Sequence, residues 1–126
     1  MREILFKAKR TDNKEWVEGY PFPSVRGKEL NRMTVFEPFS GGTAVNTYHI
    51  DHETVCQHIG LTDRNGRKAF DADKIYDPHE NRIFTIYLDK ETASFCLRDD
   101  NGWMNKDISR LSYCEIIGNI HDKEEE

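Results

Sequence analysis

The strongest constraint on the fold is the spacing of the apolar residues, which alternate with polar ones over short segments. Residues 4–8 and 93–98 both follow this two-residue period. Such alternation is typical of half-buried strands, whereas a long repeat every three to four residues, typical of an amphipathic helix, is absent from the sequence. We therefore predict a mainly β fold rich in hairpins, with little helix.

The first half of the chain predicts an opening hairpin followed by weaker signals. A turn cluster at residues 11–14 separates the first strand from the strand-favouring residues 16–20. Because proline cannot donate to a ladder, we expect Pro21 and Pro23 to end the second strand. Further on we predict a strand at 33–36 stopped by Pro38, a loop at 40–43 and a short strand at 46–50.

The second half carries clearer signals, and we expect a small, partly open barrel there. The pair Asn65-Gly66 predicts a two-residue type I′ turn, in which both central residues have positive φ. The other predicted elements are strands at 83–88 and 93–98, a hairpin at Asn101-Gly102 with Trp103 opening the returning segment, a helical turn within 105–110, and a closing segment at 111–120.

Length and charge limit the domain count and the classes of partner. A chain of 126 residues predicts one domain over 1–120, with a less regular half at 1–50, a hairpin-rich half at 51–120 and a frayed acidic tail at 121–126. The net charge of −5 and the interleaving of basic with acidic residues do not favour a nucleic-acid-binding surface, which usually needs a clustered basic face.

The apolar segments and the cysteines predict a cytoplasmic protein of a bacterial host. The apolar run at the start is broken by Lys7 after three residues, too short for a signal peptide, and no run approaches the length of a membrane span. Cys56, Cys96 and Cys114 are odd in number and widely spaced. They predict neither a disulfide framework nor a zinc ribbon, so we expect reduced thiols.

Four potential zinc ligands lie within ten residues: His49, His52, Cys56 and His58. Their spacings fit no familiar zinc pattern, and alternation along a strand would direct His49 and His52 to opposite faces. We predict no metal site and no cofactor here. A cysteine–histidine nucleophile is likewise not predicted, because free cysteine is among the most buried residue types.

The remaining polar clusters are predicted to be structural. Asp63, Asp71, Asp73 and Asp77 lie in turn-like segments, where aspartate commonly accepts hydrogen bonds from its own backbone. The segment 40–43 is glycine-rich but lacks the lysine and the following helix of a phosphate loop. We therefore assign no catalytic residue.

The aromatic residues have a further possible function, since exposed rings stack bases or anchor a protein partner. We expect most of the following to fill the core, with a minority exposed: Trp16, Tyr20, Phe22, Phe36, Phe39, Tyr48, Tyr87 and Trp103.

The segment from Val55 to Asp73 is the most recognisable of the sequence. It reads VCQHIGLTDRNGRKAFDAD and resembles the YopX-like family signature of Gln, Thr-Gly-Leu, a Lys-Asp-Lys-Asn-Gly-Lys hairpin and Glu-Gly-Asp. The start at 1–6, the stretch 16–19 and the ending 116–120 are also similar to that family. Ala72 stands where the family usually has glycine, so we expect an ordinary backbone conformation and a shifted turn there.

The resemblance implies a compact β-rich protein of phages and prophages with no established activity. The leading hypothesis is a non-enzymatic accessory protein that binds a host or phage macromolecule and self-associates, since the edge strands of a β domain need pairing or protection. The alternatives are a small-barrel nucleic-acid-binding protein and a small metal- or thiol-dependent hydrolase.

Overall fold

The computed structural model describes residues 4–24, 26–99 and 105–122, and it confirms a mainly β fold in which every strand pairing is antiparallel. Short 3₁₀ helices lie at His52–Thr54 and Ile108–Tyr113. The strands are β1 Phe6–Lys9, β2 Trp16–Pro23, β3 Leu30–Phe39, β4 Gly42–His49, β5 Cys56–Thr62, β6 Lys68–Phe70, β7 Asp73–Asp77, β8 Arg82–Asp89, β9 Ser94–Asp99, β10 Asn105–Asp107 and β11 Glu115–Asn119.

The described residues form two compact units, and the chain passes from the first to the second within β5, between Gln57 and His58. The prediction that 1–120 is one domain stays a prediction. None of the described helices is long and apolar enough to cross a membrane.

In the first unit the strands run in the order β4-β3-β2-β1, and the start of β5 pairs with β1. One face of this sheet is apolar because alternate residues point the same way. Its core is Ala8, Met33 and Ile50, and the side chains of Phe6, Val17, Val35 and Val55 pack against them.

The prediction that the two prolines end the second strand is wrong for Pro21, because β2 continues through it, and confirmed for Pro23, which is the last residue of β2. This strand changes neighbours along its length: residues 16–19 pair with β1, and residues 20–23 pair with β3. Beyond Gly19 the side of β2 that faced β1 carries no paired strand in the described chain. A residue without an N–H is tolerated where no ladder bond is required of it.

The middle of the first unit is a long, regular hairpin. Strands β3 and β4 pair over eight consecutive positions, from Arg32 opposite His49 to Phe39 opposite Gly42. Pro38 therefore does not stop the strand as predicted, and the predicted loop at 40–43 reduces to a turn at Ser40-Gly41. Gly41 has a φ of 109°, which a tight turn requires of at least one residue.

In the second unit β7, β8 and β9 form the centre of an open sheet of order β10-β9-β8-β7-β11, while the end of β5 pairs with β6. No closed barrel forms among the strands of the described ranges. The core includes Ile59, Ala69, Ile75, Phe84, Ile86, Leu97, Leu111, Cys114 and Ile116.

The turn at Asn65-Gly66 differs from the predicted type I′ turn. Only Gly66 has a positive φ, of 79°. The N–H of Gly66 donates to the carbonyl of Asp63 at 3.0 Å, and the N–H of Asp63 donates to the carbonyl of Arg67 at 2.9 Å. These bonds describe a three-residue connection in which the last position is left-handed, the alternative that often carries glycine.

Ala72 also differs from expectation, because it keeps the left-handed conformation with a φ of 71°. Its N–H donates to the carbonyl of Ile86 at 2.9 Å, and its carbonyl accepts from the N–H of Ile120 at 3.1 Å. These two backbone hydrogen bonds, one to β8 and one to the residue after β11, fix the peptide groups on either side of Ala72. The prediction of an ordinary backbone conformation is therefore wrong, and the predicted shift of the turn stays a prediction.

Several sequence predictions concern the last quarter of the chain. The strand at 83–88 is confirmed within β8, and the helical turn predicted at 105–110 lies partly in the 3₁₀ helix Ile108–Tyr113. The predicted hairpin at Asn101-Gly102 and the side chain of Trp103 lie outside the described residues. The acidic tail is described as far as Asp122, whose carboxylate accepts from the N–H of Asn119 at 3.0 Å.

Candidate functional site

The exposed face of the first sheet collects side chains that the sequence places far apart. Cross-strand register puts Lys7 opposite Glu18, Tyr20 opposite Thr34, and Phe36 opposite Val45. Opposed residues share a face in an antiparallel sheet, and so do residues two apart on one strand. We call this surface the aromatic face; it comprises Lys7, Lys9, Trp16, Glu18, Tyr20, Phe22, Arg32, Thr34, Phe36, Pro38, Thr43, Val45, Thr47 and His49.

The apolar part of the aromatic face is open to solvent. Tyr20 is 45% exposed, Phe36 54% and Val45 60%. The rings of Tyr20 and Phe36 meet edge to face, with centroids 6.0 Å apart and an interplanar angle of 67°. Exposed rings held in fixed geometry by a sheet are the side chains that most often anchor a partner.

The other end of the aromatic face is cationic. The Nζ atoms of Lys7 and Lys9 lie 4.6 and 5.3 Å from the ring centroid of Trp16. Both distances are within the range of a cation–π interaction, which orients ammonium groups over the indole. Arg32 adds a third cation, and Glu18 is the one carboxylate among the residues of this face. The formal charge of the aromatic face is therefore positive, whereas that of the whole chain is negative.

On the opposite face of the β3–β4 hairpin the polar groups bind one another. Glu37 accepts from the amide of Asn46 and from the hydroxyl of Tyr48, each at 3.0 Å. The hydrogen bond to Glu37 raises the pKa of Tyr48, and the guanidinium of Arg10 lies 4.3 Å from the centre of its ring. This second face therefore offers paired polar groups in place of exposed rings.

Two of the four potential zinc ligands lie on the surface of the first unit. The guanidinium of Arg32 lies 3.1 Å from Nε2 of His49, so this nitrogen accepts a hydrogen bond. Nδ1 of His52 lies 3.4 Å from a carboxylate oxygen of Glu29. His49 and His52 thus interact with different side chains, Arg32 and Glu29.

The other two, Cys56 and His58, are buried in β5. The thiol of Cys56 donates to the carbonyl of Thr54 at 3.3 Å. Nδ1 of His58 donates to the carbonyl of Ala69 at 2.8 Å, and its ring centroid lies 5.4 Å from that of Phe70. Within residues 4–24, 26–99 and 105–122 no three His, Cys, Asp or Glu side chains are grouped so that they could hold a metal.

The remaining cysteines are also free thiols with structural surroundings. Burial raises the pKa of Cys114 to about 11, and its thiol donates to the carbonyl of Arg110 at 3.2 Å. It is therefore protonated at neutral pH, whereas nucleophilic attack needs the thiolate. Cys96 lies in β9 opposite Tyr87, whose pKa is raised by a hydrogen bond with this thiol.

The predicted role of the aspartates in turns is confirmed for three of them. Asp63 accepts from the N–H groups of Asn65, Arg67 and Ile116, each at 2.9 Å. Burial raises its pKa, but these bonds outweigh burial and leave the value below the ordinary range. They hold the loop to β11.

Asp77 and Asp73 act in the same way. Asp77 accepts from the N–H of His79 at 2.9 Å and from the guanidinium of Arg110 at 2.7 Å. Asp73 accepts from the N–H of Phe70 and from the side-chain amide of Asn119, both at 2.8 Å.

Asp71 is the exception among the four aspartates. Burial raises its pKa, and the neighbouring charge of Asp73 adds to this shift. Its backbone turns the chain from β6 towards β7.

The prediction that most of the named aromatics fill the core is wrong. None of those within the described residues is fully buried, because Met33 and the aliphatic side chains, with Phe70 and Phe84, occupy the two cores. Tyr20, Phe36 and Phe39 are exposed. The alternation of residues 34, 36 and 38 could have indicated the exposed side of β3, but the pairing that joins Tyr20 to Phe36 is not readable from either segment alone.

Comparison with known proteins supports the resemblance seen in the sequence. A family model described as YopX protein matches residues 5–125. This match spans both described units and nearly the whole chain. No curated protein matches the chain.

Proposed function

Because the chain belongs to the YopX protein family, we propose that it is a phage or prophage accessory protein that binds a host or phage macromolecule. It works by recognition and without catalysis, in the cytoplasm of the bacterial host, and it self-associates. The observation that carries this proposal is the aromatic face, where Tyr20, Phe36 and Val45 are open to solvent.

The chemistry of the aromatic face fits a protein partner. Tyrosine and phenylalanine bury much apolar area while losing few rotatable bonds, and such rings dominate the binding free energy of interfaces. Neither ring belongs to the core of the first unit, which packs on the other side of the sheet. Their exposure is therefore not required by the packing of that core.

The surroundings of the histidines and thiols support a role without catalysis. His49 and His52 lie beside Arg32 and Glu29 on the surface, and Cys114 has a pKa of about 11. A thiol-dependent hydrolase needs a thiolate beside a base. Free thiols throughout the described chain are also consistent with a reducing compartment.

A capture experiment tests the binding surface. The tagged chain is incubated with lysate of phage-infected host cells, and the recovered proteins are quantified for the unmodified chain and for Tyr20→Ser/Phe36→Ser. We expect at least one protein whose recovery falls about tenfold or more in the variant, because removing central aromatic anchors weakens an interface by more than about 1.4 kcal/mol.

The matched control is Leu88→Ser/Ile117→Ser, which removes two similarly exposed side chains from the second unit. Recovery should be unchanged in this control. Equal recovery of every captured protein by the unmodified chain and the Tyr20→Ser/Phe36→Ser variant would refute the aromatic face as the binding surface.

The second candidate function is binding of single-stranded nucleic acid. Lys7, Lys9 and Arg32 share the face with Trp16 and Tyr20. Single-strand-binding sheets combine cations that track the backbone with rings that stack on bases. The net charge of −5 opposes this function at long range, although the face itself is cationic.

Electrophoretic mobility of labelled single-stranded DNA and RNA tests this candidate. At low salt we expect a complex that weakens as salt rises, since phosphate contacts release counterions. Lys7→Gln/Lys9→Gln should weaken it more than Lys90→Gln/Lys28→Gln, which removes the same charge elsewhere. Unchanged mobility at low salt would eliminate nucleic acid as the partner.

A further inference from the structure

Strand β4 is the longest edge strand of either described unit. It pairs with β3 along its whole length and is the terminal strand of its sheet. Eight unbroken pairs mean that it carries no bulge. Alternate residues of an edge strand direct their N–H and C=O groups outward, so β4 presents a regular row of hydrogen-bonding groups.

This edge lacks the devices that usually protect edge strands. Between Gly42 and Tyr48 there is no charged residue and no proline. The other edges differ: β6 and β10 have three residues each, and β11 contains Glu115 and a register shift after Ile116. Short, charged or irregular edges resist pairing with another strand, whereas a long, flat and uncharged edge favours it.

The centre of β4 matches itself at three of five positions when it is read in the reverse direction, and Ala44 and Asn46 are the two that differ. Residues 43–47 read Thr-Ala-Val-Asn-Thr. In an antiparallel pairing centred on Val45, that residue would lie opposite its own counterpart and Thr43 would lie opposite Thr47. Paired threonines and paired β-branched residues are favourable cross-strand neighbours, and no like charges would meet.

Side chains of the aromatic face would also meet across such a pairing of two β4 strands. Val45 is 60% exposed and lies opposite Phe36 on β3. Two strands paired about Val45 would place Phe36, Val45 and the same two residues of the second chain in one row across the seam. The nearest carboxylate, Glu37, lies one strand inward and already accepts two hydrogen bonds.

We infer that β4 pairs antiparallel with β4 of a second copy of this chain, about a two-fold axis at Val45. The two first sheets then join into one continuous sheet, and both exposed edges are satisfied at once, as an isologous interface requires. This inference deepens the self-association proposed above, because it names the strand and the register.

Charge substitution at Val45 tests the inference, since this residue is the one that opposes itself. Light scattering of the full chain should give the mass of two chains. Val45→Lys and Val45→Glu should each give the mass of one chain, because two like charges would be directly opposed. An equimolar mixture of the two variants should return to the mass of two chains, because lysine then faces glutamate.

The control pair is Ile117→Lys and Ile117→Glu, which alters an exposed residue of β11 and should leave the mass of two chains in each case. Circular dichroism of every variant verifies folding, which the exposure of Val45 favours. A one-chain mass for the unmodified protein overturns self-association. A two-chain mass in Val45→Lys overturns the β4 seam, and a mixture that stays at one chain overturns the register.

These outcomes are separable from those of the capture experiment. Tyr20→Ser alone leaves both β4 and Phe36 unchanged, so the mass of two chains should persist in it while capture of the partner falls. A dimer with no captured partner therefore refutes macromolecule binding alone, and a monomer that still captures its partner refutes self-association alone.

Discussion

Ala72 adopts a left-handed backbone conformation in which its Cβ crowds the neighbouring carbonyl, with a φ of 71°. Glycine has no Cβ and adopts this conformation freely. The surrounding chain holds it there through hydrogen bonds with Ile86 and Ile120. Strain at this position is thus maintained by the pairing of the strands on either side.

We predict that Ala72→Gly raises the free energy of unfolding by about 1 kcal/mol, since relief of the left-handed strain exceeds the added entropy of the unfolded glycine. Urea denaturation at neutral pH measures the change. The control Ala44→Gly makes the same substitution within strand β4 and should lower the free energy of unfolding by about 0.5–1 kcal/mol. Equal losses in both variants would contradict the strain at Ala72.

At the scale of elements, Asp63 fastens the loop after β5 to β11. One carboxylate oxygen accepts from Asn65 and Arg67 within the loop, and the other accepts from Ile116 in β11. The side chain of Asp63 and the amide of Ile116 are buried, so this amide would lose its acceptor without gaining access to water, whereas Asn65 and Arg67 are exposed. A single side chain therefore couples two elements 53 positions apart in the chain.

We predict that Asp63→Ala lowers the free energy of unfolding by about 1–3 kcal/mol, because the buried amide of Ile116 and the two loop amides lose their acceptor. The amide bonds hold the pKa of Asp63 below its ordinary value. Its contribution is then full above the unfolded value of about 4 and is lost as pH falls towards the lower folded value.

Urea denaturation across pH measures this dependence. The deficit of Asp63→Ala relative to the unmodified chain should be largest near neutrality and should shrink below pH of about 4. Asp89→Asn is the control: this half-buried residue ends β8, its carboxylate accepts from the N–H of Glu91 at 3.0 Å, and the substitution should change stability by less than about 0.5 kcal/mol. A pH-independent deficit for Asp63→Ala would show that the charge of the carboxylate is not what matters.

The elements also show which parts of the fold were readable from sequence. Alternation located β1, β8 and β9, because each presents one apolar face to a core. Pro21 led to a wrong prediction of where the second strand ends, because a proline can lie in a strand where only one side of that strand is paired. That is a property of the sheet, which the local sequence does not contain.

At the scale of the whole molecule, the two described units each enclose an apolar core, while the candidate site lies on the surface of the first. The sequence could predict the type of residue that forms the site but not the particular residues. The sequence indicated that exposed aromatic residues could bind a partner. It did not indicate which aromatic residues are exposed together, because Tyr20 and Phe36 meet only through the pairing of β2 with β3.

The net charge of the whole chain also gave no indication of the charge of the aromatic face. The net charge of −5 is a sum over the chain, whereas Lys7 and Lys9 on β1 and Arg32 on β3 are brought onto one face by the pairing of the strands. The net charge of a chain cannot show that one of its surfaces carries charge of the opposite sign. Only the register of the sheet does so.

The close packing of β2 on β3 has a consequence for how the chain can diverge. A methyl group on Gly19 would overlap the carbonyl oxygen of Thr34, which is backbone and cannot turn aside. No larger residue fits at position 19 as long as β2 and β3 pair in this register, whereas the neighbouring Glu18 is exposed and meets no such steric limit. Position 19 is therefore a marker by which distant descendants of this sheet can be aligned when little else in their first halves still matches.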